Sequence, residues 1–459
     1  MFKKLIGTKA FYKRVFALML PIMLQNAITN FVNMLDNVMV GQIGQVEMTG
    51  VAVANQLIFV FNLAIFGAIS GAGIFTAQFY GKKDDDGIRH TFRFKVIVGA
   101  LLTLIGIAAL VFCGKTLVGL YLTGEGDAEL IAGSLDKAYE YILIMVIGLL
   151  PYTLVQCFSS TLRETDKPIL PMIAGTVAVL VNLALNYILI FGHFGAPKLG
   201  VAGAAIATVI SRFVELIIIL IYTYKNKHKN PFIIGAFRSL YIPKALVKQI
   251  AIKGLPLMAN ETFWAMGMAT VNRAYSVIGY DVVSANNITS TFWQVFSVAF
   301  LSIGGAIGIV LGQDLGAGKL KEAKHTAYKL IALSTFIAGV VGILFMVCAE
   351  FIPELYNVDD NVKHLATRLM QIAAIAMPID AFSHVSYFSL RSGGKTFITF
   401  LFDCGYVWLI NVPIAICLSS FTSLSILIIY AIINFAAISK CFIGFYLVRK
   451  GIWVRNIVA

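Results

Sequence analysis

The sequence predicts an all-α, polytopic membrane protein with about twelve transmembrane helices arranged as two related six-helix bundles. Of its 459 residues, 59% are hydrophobic and only 13% are charged, and its mean hydropathy is +0.85. A soluble chain of this length would form several domains with charged surfaces, and this composition lacks the charges for them. The two halves of the chain also repeat each other in sequence, which predicts the two bundles.

Twelve apolar stretches reach the roughly 20 residues that a helix needs to cross the hydrocarbon core of a bilayer. The first begins after a basic N-terminus and continues beyond signal-peptide length without a convincing cleavage site, so it is predicted to be a retained helix. The predicted spans are about 15–41, 51–80, 94–113, 138–162, 169–192, 201–224, 250–278, 284–312, 328–352, 366–390, 396–418 and 424–447.

The basic residues behind the net charge of +13 are concentrated in alternate connections between the predicted helices. Of the 36 Lys and Arg residues, 28 fall in alternate connections beginning with the N-terminus, and few fall in the other connections, such as 116–137. This bias is the positive-inside signal, so both termini are predicted to be cytoplasmic. The expected location is the plasma membrane, specifically a bacterial inner membrane. The charge therefore does not indicate a nucleic-acid partner.

The repeat has a constant offset of 235 residues over some seventy positions. It predicts an N-terminal lobe at 1–230, a cytoplasmic linker at 231–249 and a C-terminal lobe at 250–459. Six helices per lobe give both lobes the same orientation, which predicts a pseudo-two-fold axis along the membrane normal and alternating access between them. The matched residues include Pro21 with Pro256, Gln78 with Gln313, and Gly81 with Gly316.

Three acidic residues interrupt apolar helices: Asp36, Glu261 and Asp380. A charge at the centre of a bilayer costs about 2.5–3.5 kcal/mol on insertion scales and rarely faces lipid. Few basic residues in the spans are available to pair with these acids, which predicts a cation site. A buried carboxylate can exchange a proton for a bound cation. Glu261 and Asp380 are the candidate Na⁺ ligands of the second lobe.

Asn182 and Asn186 lie on one face of the fifth helix and are predicted to supply neutral oxygens beside Asp36. The alternative is that Asp36 caps or hydrogen-bonds a neighbouring helix. Arg212 and Glu215 are spaced as a structural ion pair. Asp403 is a further acid that could face the cavity.

Aromatic residues near the acids suggest a binding surface for an organic cation, since ring faces attract cations. With 34 Phe in the chain, ordinary packing is the alternative for each of them. His384 shares a helical face with Asp380 and either relays a proton or bonds across helices. The predicted substrate cavity comprises Trp264, Phe292, Trp293, Phe382, His384 and Tyr387.

The six cysteines show no metal-binding spacing, and no catalytic motif or ATP-binding domain is present. The chain is therefore predicted not to be an enzyme and to need no cofactor. Its energy source would be a gradient of Na⁺ or H⁺, and its partners the lipid bilayer and small organic cations. We expect it to act as a monomer.

The opening LPIMLQNAITNFVNMLDNVMVGQIG, the segment PYTLVQCFSSTLRETDKP and LPLMANETFW resemble the multidrug and toxic compound extrusion (MATE) transporters over essentially the whole chain. The resemblance implies export of cationic amphipathic compounds in exchange for Na⁺ or H⁺. It implies that Asp36 is the first-helix acid of the N-lobe, with Asn182 and Asn186 lining its pocket. Glu261 and Asp380 look like the C-lobe acids of the NorM-type branch.

Some proton-coupled members have an aspartate on the fifth helix where this chain has asparagines, and together with the C-lobe acids this favours Na⁺. The runner-up function is a lipid-linked oligosaccharide flippase of the same wider superfamily. Such flippases tend to need a basic cavity for pyrophosphate, whereas the acids singled out above predict an acidic one. An integral membrane enzyme or a channel fits the repeat and the motifs less well.

Overall fold

The structure is a computed structural model that describes residues 6–121, 128–356 and 358–459. Positions 1–5 and part of the predicted connection 116–137 lie outside the described residues. Twelve long helices make up most of the described chain. They are α1 (Lys9–Gly41), α2 (Gln45–Lys82), α3 (Asp85–Tyr121), α4 (Ala128–Glu164), α5 (Ile169–Phe191), α6 (Val201–Lys225), α7 (Lys244–Ser276), α8 (Tyr280–Gly316), α9 (Leu320–Cys348), α10 (Asp360–Ser392), α11 (Thr396–Phe421) and α12 (Ile426–Lys450).

The helices confirm the predicted fold class, because each predicted span overlaps one of them. Within the described residues, eleven helices are long and apolar enough to cross a membrane. The exception is α7, which has sufficient length at 33 residues. Its sequence carries Lys253, Asn260, Glu261 and Arg273, and these polar groups lower its hydropathy. One of the three helices predicted to hold a functional acid is therefore also the one that falls short of the apolar character shown by the other eleven.

Proline lies inside equivalent helices of the two sequence repeats. Pro21 is inside α1 and Pro256 inside α7, while Pro151 is inside α4 and Pro378 inside α10. Proline cannot donate the backbone hydrogen bond of its position, and membrane helices tolerate this where neighbouring groups satisfy the freed carbonyl. The repeat seen in the sequence thus extends to matching local irregularities of the helices.

The described chain forms two compact units. One comprises Met1–Met23, Ala77–Lys83 and Leu255–Ala459, and the other comprises Leu24–Thr76 and Asp84–Gly254. We call them the C-unit and the N-unit. Each takes most of one sequence repeat, and the C-unit also takes the start of α1 and the end of α2. The predicted lobe boundaries at 230 and 250 remain a prediction.

Within the C-unit, the ends of α2 and α8 approach each other through two equivalent glycines. A Cβ atom built on Gly316 would lie 1.9 Å from the carbonyl oxygen of Gln78, and one built on Gly81 would lie 2.0 Å from that of Gln313. These four residues are matched by the repeat offset. Only glycine leaves room for two helix backbones at this distance.

Substituting Gly316 with alanine is expected to destabilise the protein by about 1–3 kcal/mol, because the added methyl group must displace a backbone carbonyl. Gly305 on the same helix is the matched control, since a Cβ there would meet no atom within 4 Å. Thermal unfolding in detergent would compare the two variants with the parent chain. If Gly316→Ala proved as stable as Gly305→Ala, the helices α2 and α8 would be able to move apart at this contact without loss of stability.

The chain's last residues are fixed to the same end of the C-unit. Trp453 is fully buried, and the Gln78 side chain bonds to the backbone of Ser392, Arg455 and Ile457. Lys82 donates to the carbonyl of Val458 at 2.6 Å. The equivalent Gln313 instead accepts from Arg14 at 2.7 Å. The two glutamines of the repeat thus hold opposite ends of the chain.

In the N-unit, the segment after α6 is fixed to α3. The Arg93 guanidinium donates to the carbonyls of Gly235, Ala236 and Tyr241 at 2.7–3.0 Å. The Phe92 ring packs on Phe232 with a centroid separation of 5.1 Å. The stretch predicted as a linker is therefore held in place over its first half by buried contacts.

Candidate functional site

The N-unit brings together the three residues predicted for its cation site. Asn186 on α5 donates from Nδ2 to Asp36 Oδ1 on α1 at 2.6 Å. The same amide donates to Asn182 Oδ1, one turn earlier, at 3.2 Å. Asn182 and Asn186 are 6% and 1% exposed, while Asp36 is half-buried. We call Asp36, Asn182 and Asn186 the Asp36 group.

Thr208 on α6 closes the next side of this group. Asn182 donates to Thr208 Oγ1 at 3.2 Å. With its amide rotated by 180°, Asn182 instead accepts from that hydroxyl and places its nitrogen 3.0 Å from Asp36 Oδ2. The second orientation satisfies both ends of the amide and both carboxylate oxygens. Either way, a carboxylate, two amides and a hydroxyl from three helices converge.

Tyr141 on α4 also belongs to this neighbourhood. Its side chain is 5% exposed and interacts with Asp36, Thr208 and Asn55. Sequence analysis identified neither Tyr141 nor Thr208. The only feature of the sequence that could have indicated Thr208 as a site residue is its hydroxyl group within the run of small residues VAGAAIATV in α6. A hydroxyl at such a position is as often bonded to its own helix, and Thr208 does donate to the carbonyl of Ala204.

One oxygen of the Asp36 group has no protein partner. Asn186 Oδ1 is buried and makes no hydrogen bond within the described residues. A buried amide oxygen left unpaired costs about 1–3 kcal/mol, and a hard cation would remove that cost because such ions prefer carboxylate and carbonyl oxygens. By contrast, no group of three His, Cys, Asp or Glu that could hold a metal occurs in the described chain.

The predicted pair of Arg212 and Glu215 is confirmed, with a separation of 3.6 Å. The guanidinium also lies 4.9 Å from the centroid of the Tyr152 ring. Arg212, Tyr152, Asn62 and Thr208 line one small cavity of the N-unit. Because the pair is charge-balanced, it does not compete with the Asp36 group for a cation.

In the C-unit, Glu261 and Asp380 have different charged neighbours. Glu261 on α7 is partly buried and interacts electrostatically with Arg391 and Asp403. Asp380 on α10 is influenced by the charge of Lys440 on α12. The prediction that Na⁺ binds Glu261 and Asp380 stays a prediction, and the charges of two bases, Arg391 and Lys440, act on these acids.

Asp403 and Lys440 form an ion pair that the sequence did not indicate. Lys440 Nζ donates to Asp403 Oδ1 at 2.7 Å, and Asn260 Nδ2 donates to Asp403 Oδ2 at 3.1 Å. The sequence predicted only that Asp403 faces the cavity, and it gave no indication of a base beside it. The charge of Asp403 is thus balanced by a base within the C-unit.

The predicted aromatic residues fall into separate packing environments. Phe292 and Trp293 pack on one apolar cluster of the C-unit, while Phe382 and Tyr387 belong to another. His384 packs on Phe388 with a centroid separation of 4.9 Å. Trp264 on α7 is 41% exposed. Tyr387 alone among the six is hydrogen-bonded to the ion-pair region, accepting from Asn260 at 3.4 Å.

Comparison with known proteins agrees with this arrangement of two related halves. The family model MatE matches residues 21–188 and again residues 256–417. The probable multidrug resistance protein YoeA of Bacillus subtilis (strain 168) is 26% identical over 414 residues, covering 89% of this chain and 87% of that protein. The probable multidrug resistance protein NorM of Bacillus licheniformis is 24% identical over 415 residues, covering 90% and 89%.

Solved structures share the fold over nearly the whole length. An outward-facing multidrug resistance MATE family transporter of the MOP superfamily superposes with a TM-score of 0.86 at 17% identity, covering 98% of each chain. A MOP superfamily transporter from Pyrococcus furiosus, described as having a binding pocket of reversed polarity, gives 0.84 at 18% identity, covering 98% and 97%. At these identities the likeness concerns the fold.

Proposed function

We propose that this chain, which belongs to the MatE family of multi-span membrane transporters, exports small cationic amphipathic compounds from a bacterial cell in exchange for Na⁺ or H⁺. A member of this family is a transporter and not an enzyme. The names of the relatives, multidrug resistance proteins, support drug-like substrates. The observation that carries coupling to an ion is the Asp36 group, a carboxylate that accepts from the amide of Asn186 and has the side chains of Asn182 and Thr208 next to it.

The Asp36 group suits ion exchange for an electrostatic reason. Its carboxylate has neutral hydrogen-bond donors around it and forms no ion pair with a base among the residues that the structure describes, so a cation or a proton can complete its charge balance. Asn186 Oδ1 offers a further ligand. Binding of Na⁺ and protonation of Asp36 exclude each other, which couples the site to either gradient. The chemistry of the donors favours Na⁺, while a proton uses the same carboxylate.

We further propose that both termini are cytoplasmic, that the chain acts as a monomer in the inner membrane, and that nucleic acid is not a partner. The basis is the distribution of Lys and Arg over alternate connections. Alternating access would then expose the substrate cavity to each side of the membrane in turn, as repeat-built transporters do. In this proposal the coupling ion binds the Asp36 group in place of the predicted Na⁺ ligands Glu261 and Asp380, which instead contribute acidic charge that attracts a cationic substrate in the second lobe.

Reconstitution into liposomes tests this function directly. Efflux of a cationic dye would be measured under an imposed Na⁺ gradient and separately under a pH gradient. We expect efflux under at least one gradient, and faster efflux under Na⁺. Transport under neither gradient would contradict the drug-export proposal and favour the flippase alternative.

Glu261→Gln separates the two lobes in the same assay. We expect this variant to reduce efflux of cationic dye while leaving the ion dependence unchanged, because the coupling ion binds at Asp36. Efflux of a neutral dye should be less affected than efflux of the cationic one. Sodium-driven efflux that is lost completely in Glu261→Gln would instead put the coupling site in the second lobe.

A further inference from the structure

We propose that the ammonium group of Lys440 is a built-in cation of the C-unit, occupying the position against Asp403 that a free monovalent cation would otherwise take. Lys440, Asp403, Asp380 and Asn260 are called the Lys440 cluster. The inference deepens the proposed function, since it explains why the coupling ion would bind in one lobe only. It makes Lys440 a residue that determines ion specificity.

The geometry leaves Asp403 with no free carboxylate oxygen. Oδ1 accepts from Lys440 at 2.7 Å and Oδ2 accepts from Asn260 at 3.1 Å. The Lys440 and Asp403 side chains are only 14% and 21% exposed, so water does not replace these contacts readily. A charge-assisted pair of this length is among the stronger hydrogen bonds in proteins.

Lys440 is surrounded as a bound cation would be. Besides the Asp403 carboxylate, its ammonium lies 5.2 Å from the centroid of the Phe402 ring and 5.7 Å from that of Tyr406. Ring faces at this distance attract a cation. Its charge also acts on Asp380. One carboxylate in contact and two ring faces together make a cation site whose ion is supplied by the chain.

The local backbone of α11 supports this placement. Leu401–Gly405 and Val407–Asn411 are π-helical turns within the helix, and Asp403 lies in the first of them. Each π turn inserts an extra residue into the helical repeat, which changes the direction of the side chains that follow. Such turns are frequent at functional sites. Here the irregular segment carries both Asp403 and the ring of Phe402.

The two units therefore differ in how their acids are balanced. In the N-unit, Asp36 is contacted by neutral amides, and the nearby Arg212 is already paired with Glu215. In the C-unit, Lys440 supplies a positive charge directly to Asp403. A free cation gains more by binding the unbalanced carboxylate. Removing the Lys440 charge should make the C-unit resemble the N-unit and open a second cation site.

The test is the number of Na⁺ ions bound by the purified full-length protein, measured by equilibrium dialysis with radioactive Na⁺. We expect Lys440→Met to bind about one Na⁺ per chain more than the parent protein, since two carboxylates become available to a hard cation. The additional ion should disappear in Lys440→Met combined with Asp403→Asn. Lys440→Arg keeps the charge and should bind the same number as the parent.

The readout is a difference between variants, so it does not depend on transport. If efflux proves not to be coupled to an ion, the proposed function fails while the extra ion in Lys440→Met still supports the built-in cation. A folded Lys440→Met protein that binds no additional Na⁺ overturns the inference. If that variant fails to fold, Lys440→Gln replaces it in an Asp36→Asn background, where the first site no longer binds Na⁺. Na⁺-dependent thermal stabilisation of Lys440→Gln combined with Asp36→Asn, but not of Asp36→Asn alone, supports the inference, and no stabilisation of either overturns it.

Discussion

Replacing Asp36 with asparagine is expected to abolish ion-coupled efflux. The substitution preserves the shape of the side chain and removes the charge that a cation must balance. Hydrogen bonds and contacts to a charged group contribute about 1.5–3 kcal/mol, so the affinity for the coupling cation should fall by about tenfold to a hundredfold. Dye efflux from liposomes and Na⁺ binding to the purified protein would both be measured.

The matched control for Asp36→Asn is the double variant Arg212→Ala with Glu215→Ala. It removes two charges from the same unit, one positive and one negative, so the net charge is unchanged; the two groups pair with each other at 3.6 Å. We expect this variant to retain more efflux than Asp36→Asn does. The reverse order would mean that the pair, and not Asp36, is the functional charge of the N-unit.

The Asp36 group could be predicted from sequence because its signals are local. An acid in an apolar helix is costly, so Asp36 stands out by itself, and the four-residue spacing of Asn182 and Asn186 puts both on one helical face. The contact between the two helices then follows the prediction, at 2.6 Å. Thr208 and Tyr141 were not predicted, because a hydroxyl group costs much less free energy to bury than a charged carboxylate does. A hydroxyl residue in an apolar helix therefore does not stand out as a functional residue.

The Lys440 cluster could not be predicted, because its contacts depend on helical phase. Sequence analysis extrapolates the direction of a side chain from a regular period of 3.6 residues. The π turns at Leu401–Gly405 and Val407–Asn411 break that period where Asp403 lies. Lys440 is 37 residues further along the chain, and no spacing rule relates it to Asp403. The acids were identified, and the base that balances one of them was not.

The close approach of α2 and α8 at Gly81 and Gly316 was only partly predictable from the sequence. The repeat offset marks Gly81 and Gly316 as equivalent, but their role appears only when each is seen against the carbonyl of the other helix's glutamine. The attachment of the last residues to Gln78 left no mark in the sequence, since Trp453 and its neighbours follow no periodic pattern. Local pattern predicts elements, while close approaches between elements depend on packing.

Replacing Glu164 with glutamine is expected to destabilise the N-unit strongly. The Lys95 side chain is 0% exposed, and its ammonium contacts Glu164 Oε2 at 2.5 Å, Ser160 Oγ at 2.7 Å and Thr161 Oγ1 at 3.2 Å. Removing the carboxylate charge leaves a buried ammonium with neutral partners. Breaking a buried ion pair on one side costs about 3–5 kcal/mol. Unfolding in detergent would measure the loss.

Glu140→Gln on the same helix is the control, because Glu140 pairs with Lys137 on the surface with side chains 43% and 41% exposed. An exposed pair of this kind contributes about 0–1 kcal/mol, so the two variants should differ clearly. Adding Lys95→Met to Glu164→Gln should recover much of the loss, since it removes the uncompensated charge and leaves Ser160 bonded to the amide. Equal stabilities for Glu164→Gln and Glu140→Gln would contradict this account. In that case other groups would balance the charge of the buried ammonium. The ion pair between α3 and α4 would then orient the two side chains without stabilising the folded protein.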